Sequence, residues 1–177
     1  MRDSAVAVGP PAPKEKKMSQ VAALAVGQRA PDFRLRGPAG QFVSLAEHRG
    51  HQAVILVFYP LAFTPLCSHQ LPELEERRPE IEELGGSIIG ISVDSWQANE
   101  VFARQIGVRY PLLSDFHRDV SRAYGVLDEK RFTSGRAVFV IDRQGVIVHA
   151  EIAGEAESPE DVPQVDTILH VLRELAR

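Results

Sequence analysis

A mixed α/β fold, with a central sheet flanked by helices, is what this sequence predicts, and three observations lead to it. Residues 53–59 are almost wholly apolar, as a strand covered on both faces must be, and 87–93 read as a second buried strand. Segments with apolar residues at helical spacing follow them, so strand and helix alternate. Two short strand-like segments joined by a glycine turn then add an antiparallel ribbon toward the C-terminal end. At 177 residues the chain reads as one domain, long enough to bury a core.

The N-terminal stretch, residues 1–25, reads as a flexible extension. Gly9-Pro10-Pro11-Ala12-Pro13 is proline-rich and Lys14-Glu15-Lys16-Lys17 is charged, and neither buries enough surface to fold alone. It has no apolar core of signal-peptide length, and Met1 and Met18 are both available as starts. The folded domain is expected over 26–177. Residues 32–35 and 41–45 alternate around Gly37-Pro38-Ala39-Gly40, which predicts an N-terminal hairpin. After the strand 53–59, residues 66–84 carry Leu71, Leu74, Ile81 and Leu84 on roughly one side of a helix. Pro72 is expected to kink or interrupt that helix, and Gly85-Gly86 to end it. Its glutamates, Glu73, Glu75, Glu76, Glu80, Glu82 and Glu83, read as a solvated face. The strand 87–93 leads to a helix over 97–106 closed by Gly107, a short strand over 111–114 and a short helix over 120–124. Residues 136–142 and 146–151 pair through Arg143-Gln144-Gly145. A final amphipathic helix, 160–176, begins at Ser158-Pro159 and is kinked or restarted near Pro163.

Composition removes several classes of function. The net charge of −4 argues against a nucleic-acid binder, which needs a basic face. No apolar run approaches a membrane span. With one cysteine there is no internal disulfide and no zinc site built on several cysteines, so the expected location is cytoplasmic. His48, His51, His69, His117, His149 and His170 show no ligand spacing, and neither metal nor cofactor is expected. His69 lies two residues past Cys67, and such neighbours on a helix do not face each other. Trp96 either lines a site or packs.

The stretch 59–70 organises the rest. Thr64 suits an N-cap and Pro65 the first helical position. Cys67 then falls in the first turn of a helix, just beyond the end of a buried strand. Unpaired backbone N–H groups and the helix dipole favour a thiolate there. Open α/β sheets place their sites outside the carboxyl ends of strands. A lone cysteine is also commonly a small buried hydrophobe, and both readings stand on position alone.

The spacing Pro60-x-x-x-Thr64-x-x-Cys67, with Phe58-Tyr59-Pro60-Leu61-Ala62-Phe63-Thr64 around it, resembles the peroxidatic-cysteine motif of the peroxiredoxins. The order downstream is similar too: Ile89-Gly90-Ile91-Ser92-Val93-Asp94, Tyr110-Pro111-Leu112-Leu113-Ser114-Asp115, Ala123-Tyr124-Gly125-Val126, then Arg136 opening an apolar run. The wording around Pro60 and Leu112 is closest to a one-cysteine bacterial type. The resemblance implies a thioredoxin-like fold and a thiol-specific peroxidase that reduces hydrogen peroxide and organic hydroperoxides. Cys67 would be the nucleophile that becomes a sulfenic acid, Thr64 a hydroxyl near sulfur and peroxide, Arg136 a fixed charge, and Pro60 a shield against water. Each also has a plainer use: Thr64 as a helix cap, Arg136 as one solvated arginine beside Arg131 and Arg143, Pro60 as a strand terminator.

Two departures from the family pattern bear on mechanism. Many relatives carry an acid where this chain has Gln70, which accepts a hydrogen bond but adds no charge to hold an arginine. No second cysteine exists to resolve a sulfenic acid, so an external thiol or thiol-protein reductant is expected. The resemblance also implies a homodimer. The competing readings are a peroxide sensor that relays oxidation to a partner and a thioredoxin-fold interaction protein. The lack of Cys-x-x-Cys argues against a dithiol oxidoreductase.

Overall fold

The computed structural model describes residues 23–153 and 158–177. Its strands are β1 (Arg34–Arg36), β2 (Phe42–Ser44), β3 (Ala53–Phe58), β4 (Gly86–Ser92), β5 (Leu112–Ser114), β6 (Leu127–Asp128), β7 (Thr133–Ser134), β8 (Arg136–Ile141) and β9 (Ile147–Ala153). Its helices are α1 (Pro65–Glu76), α2 (Arg78–Glu83), α3 (Trp96–Ile106), α4 (Asp119–Ala123) and α5 (Val165–Leu175). Seven strands form one sheet in the order β2-β1-β5-β4-β3-β8-β9. The centre is parallel, β3 with β4 and β4 with β5, and the flanks are antiparallel. This is the mixed sheet flanked by helices that the apolar runs predict.

Every residue of β3 and β8 is buried. Side chains alternate along a strand, so β3 divides its residues between two cores. Ile55, Val57 and Tyr59 join Leu71 and Leu74 of α1, Ile81 of α2, Phe102 of α3, and Ile168, Leu169 and Leu172 of α5. Val54, Leu56 and Phe58 join Phe33, Leu45, Val120, Tyr124 and Phe139 on the opposite face. There Phe139 stands edge-on to Phe58 and Tyr124, with ring centroids 5.9 and 5.3 Å away. Burying a side chain such as Leu172 of α5 contributes about 2 kcal/mol relative to leaving it in water.

The helix breaks differ from expectation at one proline and agree at another. Residues 65–76 stay helical through Pro72, although its ring has no N–H for the Ser68 carbonyl. The break comes instead at Arg77, just before the second proline, Pro79. Pro79 sits in the first turn of α2, where an N–H is not needed. The Arg77 N–H turns to the carbonyls of Glu73 and Glu75, which closes α1. Near Pro163 the expected restart is seen: a 3-10 turn over Pro159–Asp161, then α5 from Val165. Gly107 closes α3 in the left-handed region at φ 74°. The ribbon β6–β7 has two residues per strand, too few to show a period in the sequence. The expected extension falls mostly on residues 1–22, outside the described residues. At its end the Leu24 N–H reaches the Tyr124 carbonyl and its side chain packs on the second core.

Among the acidic residues of α1, Glu75 is not part of a solvated face. Its side chain is only 10% exposed and bridges Arg78 and Arg109, at 3.0 and 2.8 Å. Burial pushes its carboxyl upward, but the Arg109 backbone N–H and the two guanidinium groups outweigh that and hold it below the ordinary carboxylate range. A depressed acid contributes stability above its unfolded value and loses it as pH falls through the folded value. Glu75→Gln is therefore expected to cost about 1 kcal/mol at pH 7. Urea titrations of both proteins should converge as the pH drops below the carboxylate range.

Candidate active site

The β3 strand ends at Phe58, and the chain leaves it through Tyr59, which is fully buried. Residues 60–64 then turn back toward the sheet. Phe63 takes a left-handed backbone, φ 64°, unusual for an aromatic residue. Its half-exposed ring lies 5.0 Å from that of Phe102 on α3. Thr64 is extended and Pro65 is the first helical residue, as the sequence predicts. The Thr64 hydroxyl does not cap α1, however. It donates to the Leu61 carbonyl at 3.2 Å, which tightens the loop, and makes no bond to the helix N–H groups.

Cys67, third residue of α1, has no exposed surface. Arg136 opens β8 and is 5% exposed, so it is not one more solvated arginine. Its Nη2 donates to the Cys67 Sγ at 3.4 Å, and its Nη1 to the Gln70 Oε1 at 2.5 Å. Gln70, one turn past Cys67 on α1, is itself 2% exposed. The structure thus joins Cys67 and Arg136 and adds Gln70 to them. Thr64 sits one turn before Cys67, with its hydroxyl engaged elsewhere. Pro60 is half-buried at the start of the loop. His69 points away from the sulfur and lies 3.5 Å from Glu73 on the exposed side of α1. Trp96 packs on the Gly40 turn of the β1–β2 hairpin, where an added Cβ would come within 3.3 Å of its ring.

A polar network that sequence reasoning missed holds the loop from below. The Ser134 hydroxyl donates to the Tyr59 carbonyl at 2.7 Å. The Asp94 carboxylate accepts from the Ala62 N–H at 2.8 Å and from the Ser92 hydroxyl at 2.9 Å. The Asn99 amide oxygen accepts from the Tyr59 phenol at 2.9 Å, and its Nδ2 donates to the Leu113 carbonyl at 3.1 Å. Burial pushes the Tyr59 phenol far above its usual range despite the hydroxyl of Ser92 nearby, so Tyr59 is a neutral donor. A sequence signal for this network is Asn99, which stands at helical spacing from Phe102, Ala103 and Ile106.

Asp94 binds the loop to the end of the sheet, so its loss leaves the Ala62 N–H without its partner. Asp94→Ala is expected to lower stability by about 1–3 kcal/mol. Urea denaturation measures the loss, and a loosened loop should appear as faster amide exchange at Ala62.

Comparison with known proteins places this arrangement. Residues 26–150 match the AhpC/TSA family. Alkyl hydroperoxide reductase E of Mycobacterium tuberculosis and of Mycobacterium bovis is 43% identical over 136 residues, 76% of this chain and 89% of the relative. A chloroplastic 2-Cys peroxiredoxin of Hordeum vulgare is 36% identical over 137 residues, covering 72% of this chain and 65% of that one. Among solved structures, reduced 2-Cys peroxiredoxin of Plasmodium vivax superposes with a TM-score of 0.75 at 28% identity, covering 85% of this chain and 81% of that chain. Peroxidoxin BcpB of Mycobacterium tuberculosis gives a TM-score of 0.76 at 28% identity, covering 85% and 97%. The fold is thioredoxin-like, as in those peroxiredoxins, and Cys67 and Arg136 both lie within the matched span: the chain belongs to the AhpC/TSA family, among the peroxiredoxins.

Proposed function

We propose that this protein is a thiol-dependent peroxidase whose reacting atom is the Cys67 sulfur. The observation that carries the reading is the contact between that sulfur and the buried guanidinium of Arg136, 3.4 Å away, in the first turn of a helix. A fixed cation and unpaired helix N–H groups both favour the thiolate. The thiolate attacks the terminal oxygen of a hydroperoxide in line, and the O–O bond breaks. That oxygen stays on sulfur as a sulfenic acid, and the other leaves as alkoxide or hydroxide and takes up a proton. Arg136 stabilises the charge that develops on the oxygens. In this reading the Thr64 hydroxyl swings from the Leu61 carbonyl toward the peroxide, and Pro60 keeps water out. Cys67 is fully covered in this conformation, so entry of peroxide requires movement of the chain around it.

Hydrogen peroxide and organic hydroperoxides are the proposed substrates. The reductant is a thiol outside the polypeptide, because Cys67 is the only cysteine in the chain. One external thiol condenses with the sulfenic acid to a mixed disulfide and water, and a second thiol releases the reduced enzyme. A cytoplasmic location fits such a supply of thiol. Among the described residues no helix is long and apolar enough to cross a membrane.

The proposed assembly is a homodimer. Phe116 and Phe132 are 59% and 58% exposed, and Arg118 donates to both of their backbone carbonyls, which ties the two exposed apolar segments to one another. Phe132→Glu is expected to convert the dimer to monomers in light scattering; a parent protein already monomeric would remove this part of the proposal.

Stopped-flow mixing of reduced protein with hydrogen peroxide and with an alkyl hydroperoxide tests the activity. Oxidation should be orders of magnitude faster than for a free thiol, absent in Cys67→Ser and at least tenfold slower in Arg136→Ala, a loss of about 1.4 kcal/mol or more. Rapid oxidation that no thiol reverses would favour a sensor instead.

A further inference from the structure

The β1–β2 hairpin carries two arginines with no carboxylate to meet them. Arg34 and Arg36 are both exposed on β1, two residues apart and so on one face. Phe42 of β2, 42% exposed, stands opposite Arg36 on that face. Both guanidiniums gather on its ring, 4.0 and 4.6 Å from the centroid. Two like charges drawn to one ring repel each other. Among the described residues no acid offsets them. Asp32, the nearest acid in the sequence, pairs with Arg49 at 2.8 Å, and the Arg36 guanidinium donates to the Gly40 carbonyl. Leu35 and Val43, on the other face of the hairpin, pack on the second core, so the charged face is the one turned outward.

The hairpin also ends the sheet. β2 is an edge strand with β1 as its only neighbour among the described residues. The Leu45 N–H reaches the Phe33 carbonyl, and the Gly37 N–H reaches the Gln41 carbonyl. Pairing with β1 therefore uses residues 41, 43 and 45, and the N–H groups of Phe42 and Ser44 and the Phe42 carbonyl point out from the sheet. Natural edges are commonly blunted by a charge, a proline or a bulge. Phe42-Val43-Ser44 has none of these, and its register with β1 is regular.

We infer that the outer edge of β2 is a docking site for an extended, acidic segment of a partner protein, which adds a strand beside Phe42–Ser44 and sets alternate carboxylates against Arg34 and Arg36. Main-chain hydrogen bonds supply affinity in such a contact, and alternate side chains supply specificity. The added strand lies about 10 Å from β1, a gap that an arginine and a glutamate reaching toward each other can span. Charge selects this occupant. A second copy joined edge to edge would bring four unmatched guanidiniums together. A nucleic acid has no peptide groups for the free edge, and the net charge of −4 works against it. The site does not depend on the peroxidase reading.

Fluorescence anisotropy with the full chain and a labelled, end-capped peptide of alternating Glu and Val tests the inference. That peptide should bind saturably and more weakly as salt rises, and a peptide of alternating Lys and Val should not bind. Replacing both arginines, Arg34→Ala with Arg36→Ala, should weaken binding by about tenfold or more, with the peroxide rate kept at the parent value. Methyl groups on the peptide nitrogens of one alternate set of residues should abolish binding, and on the other set should not, because one edge of the added strand faces β2. No saturable binding of the Glu–Val peptide, or equal binding of the Lys–Val peptide, overturns the inference. Binding that survives both patterns of methylation overturns it too, since charge would then act without strand addition. Displacement by an oligothymidylate at equal concentration would mark a general anion-binding face and also overturn it. If the arginine variant does not fold, the methylated peptides on the parent protein still decide.

Discussion

The antiparallel register of β3 against β8 is the constraint on which the site depends. Phe58 pairs with Ala137 and Val57 with Val138. One step further along the ladder, Arg136 comes level with Tyr59, on the face that holds Cys67 and the α1 core. Side chains alternate with a period of two, so a slip of one residue would turn Arg136 to the opposite face, toward Phe58 and Tyr124. The apolar side chains of β8 resist that slip. Val138 and Val140 fit the first core, while Ala137 and Phe139 fit the second. Packing on both faces of the sheet thus sets where the guanidinium stands, and hence what the sulfur meets.

A second layer of the structure controls the loop between strand and helix. The chain must leave β3, reverse and enter α1 within a few residues, and Phe63 takes up part of that reversal in a left-handed conformation. Strained backbone persists only when its surroundings over-determine it. Here the surroundings are Ser134 on the Tyr59 carbonyl, Asp94 on the Ala62 N–H, Thr64 on the Leu61 carbonyl and Phe102 against the Phe63 ring. These contacts come from four different parts of the chain. They hold Cys67 in the first turn of α1 while its side chain stays fully covered.

Several of these features could be read directly because their causes are local. Thr64-Pro65 announces the start of α1, and Pro65 is indeed its first residue. Gly107 and Gly85 stand where helices end, each with a positive φ. Pro72 is less legible. The predicted helix also contains Pro79, and the chain bends at Arg77, before Pro79, while Leu71, Leu74 and Ile81 from the two sides of the bend share one core. Glu75 was misread for a related reason. A run of glutamates looks solvated until Arg109, 34 residues away, is brought over one of them.

By itself the sequence determined the alternation of strands and helices and the family, and it singled out Cys67 as the candidate sulfur, since apolar runs, cap residues and motif spacing are properties of neighbouring residues. It did not determine which arginine meets that sulfur on physical grounds, because only the fold places Arg136 in a buried strand and Arg131 and Arg143 in the connections between strands. The tertiary structure alone decided that Arg136 is buried against Cys67, that a neutral glutamine holds it, and that Thr64 bonds Leu61 rather than the helix. Each of these is a contact across strands or around a tight loop. Their geometry is set by how two faces of one sheet are packed, which no local pattern records.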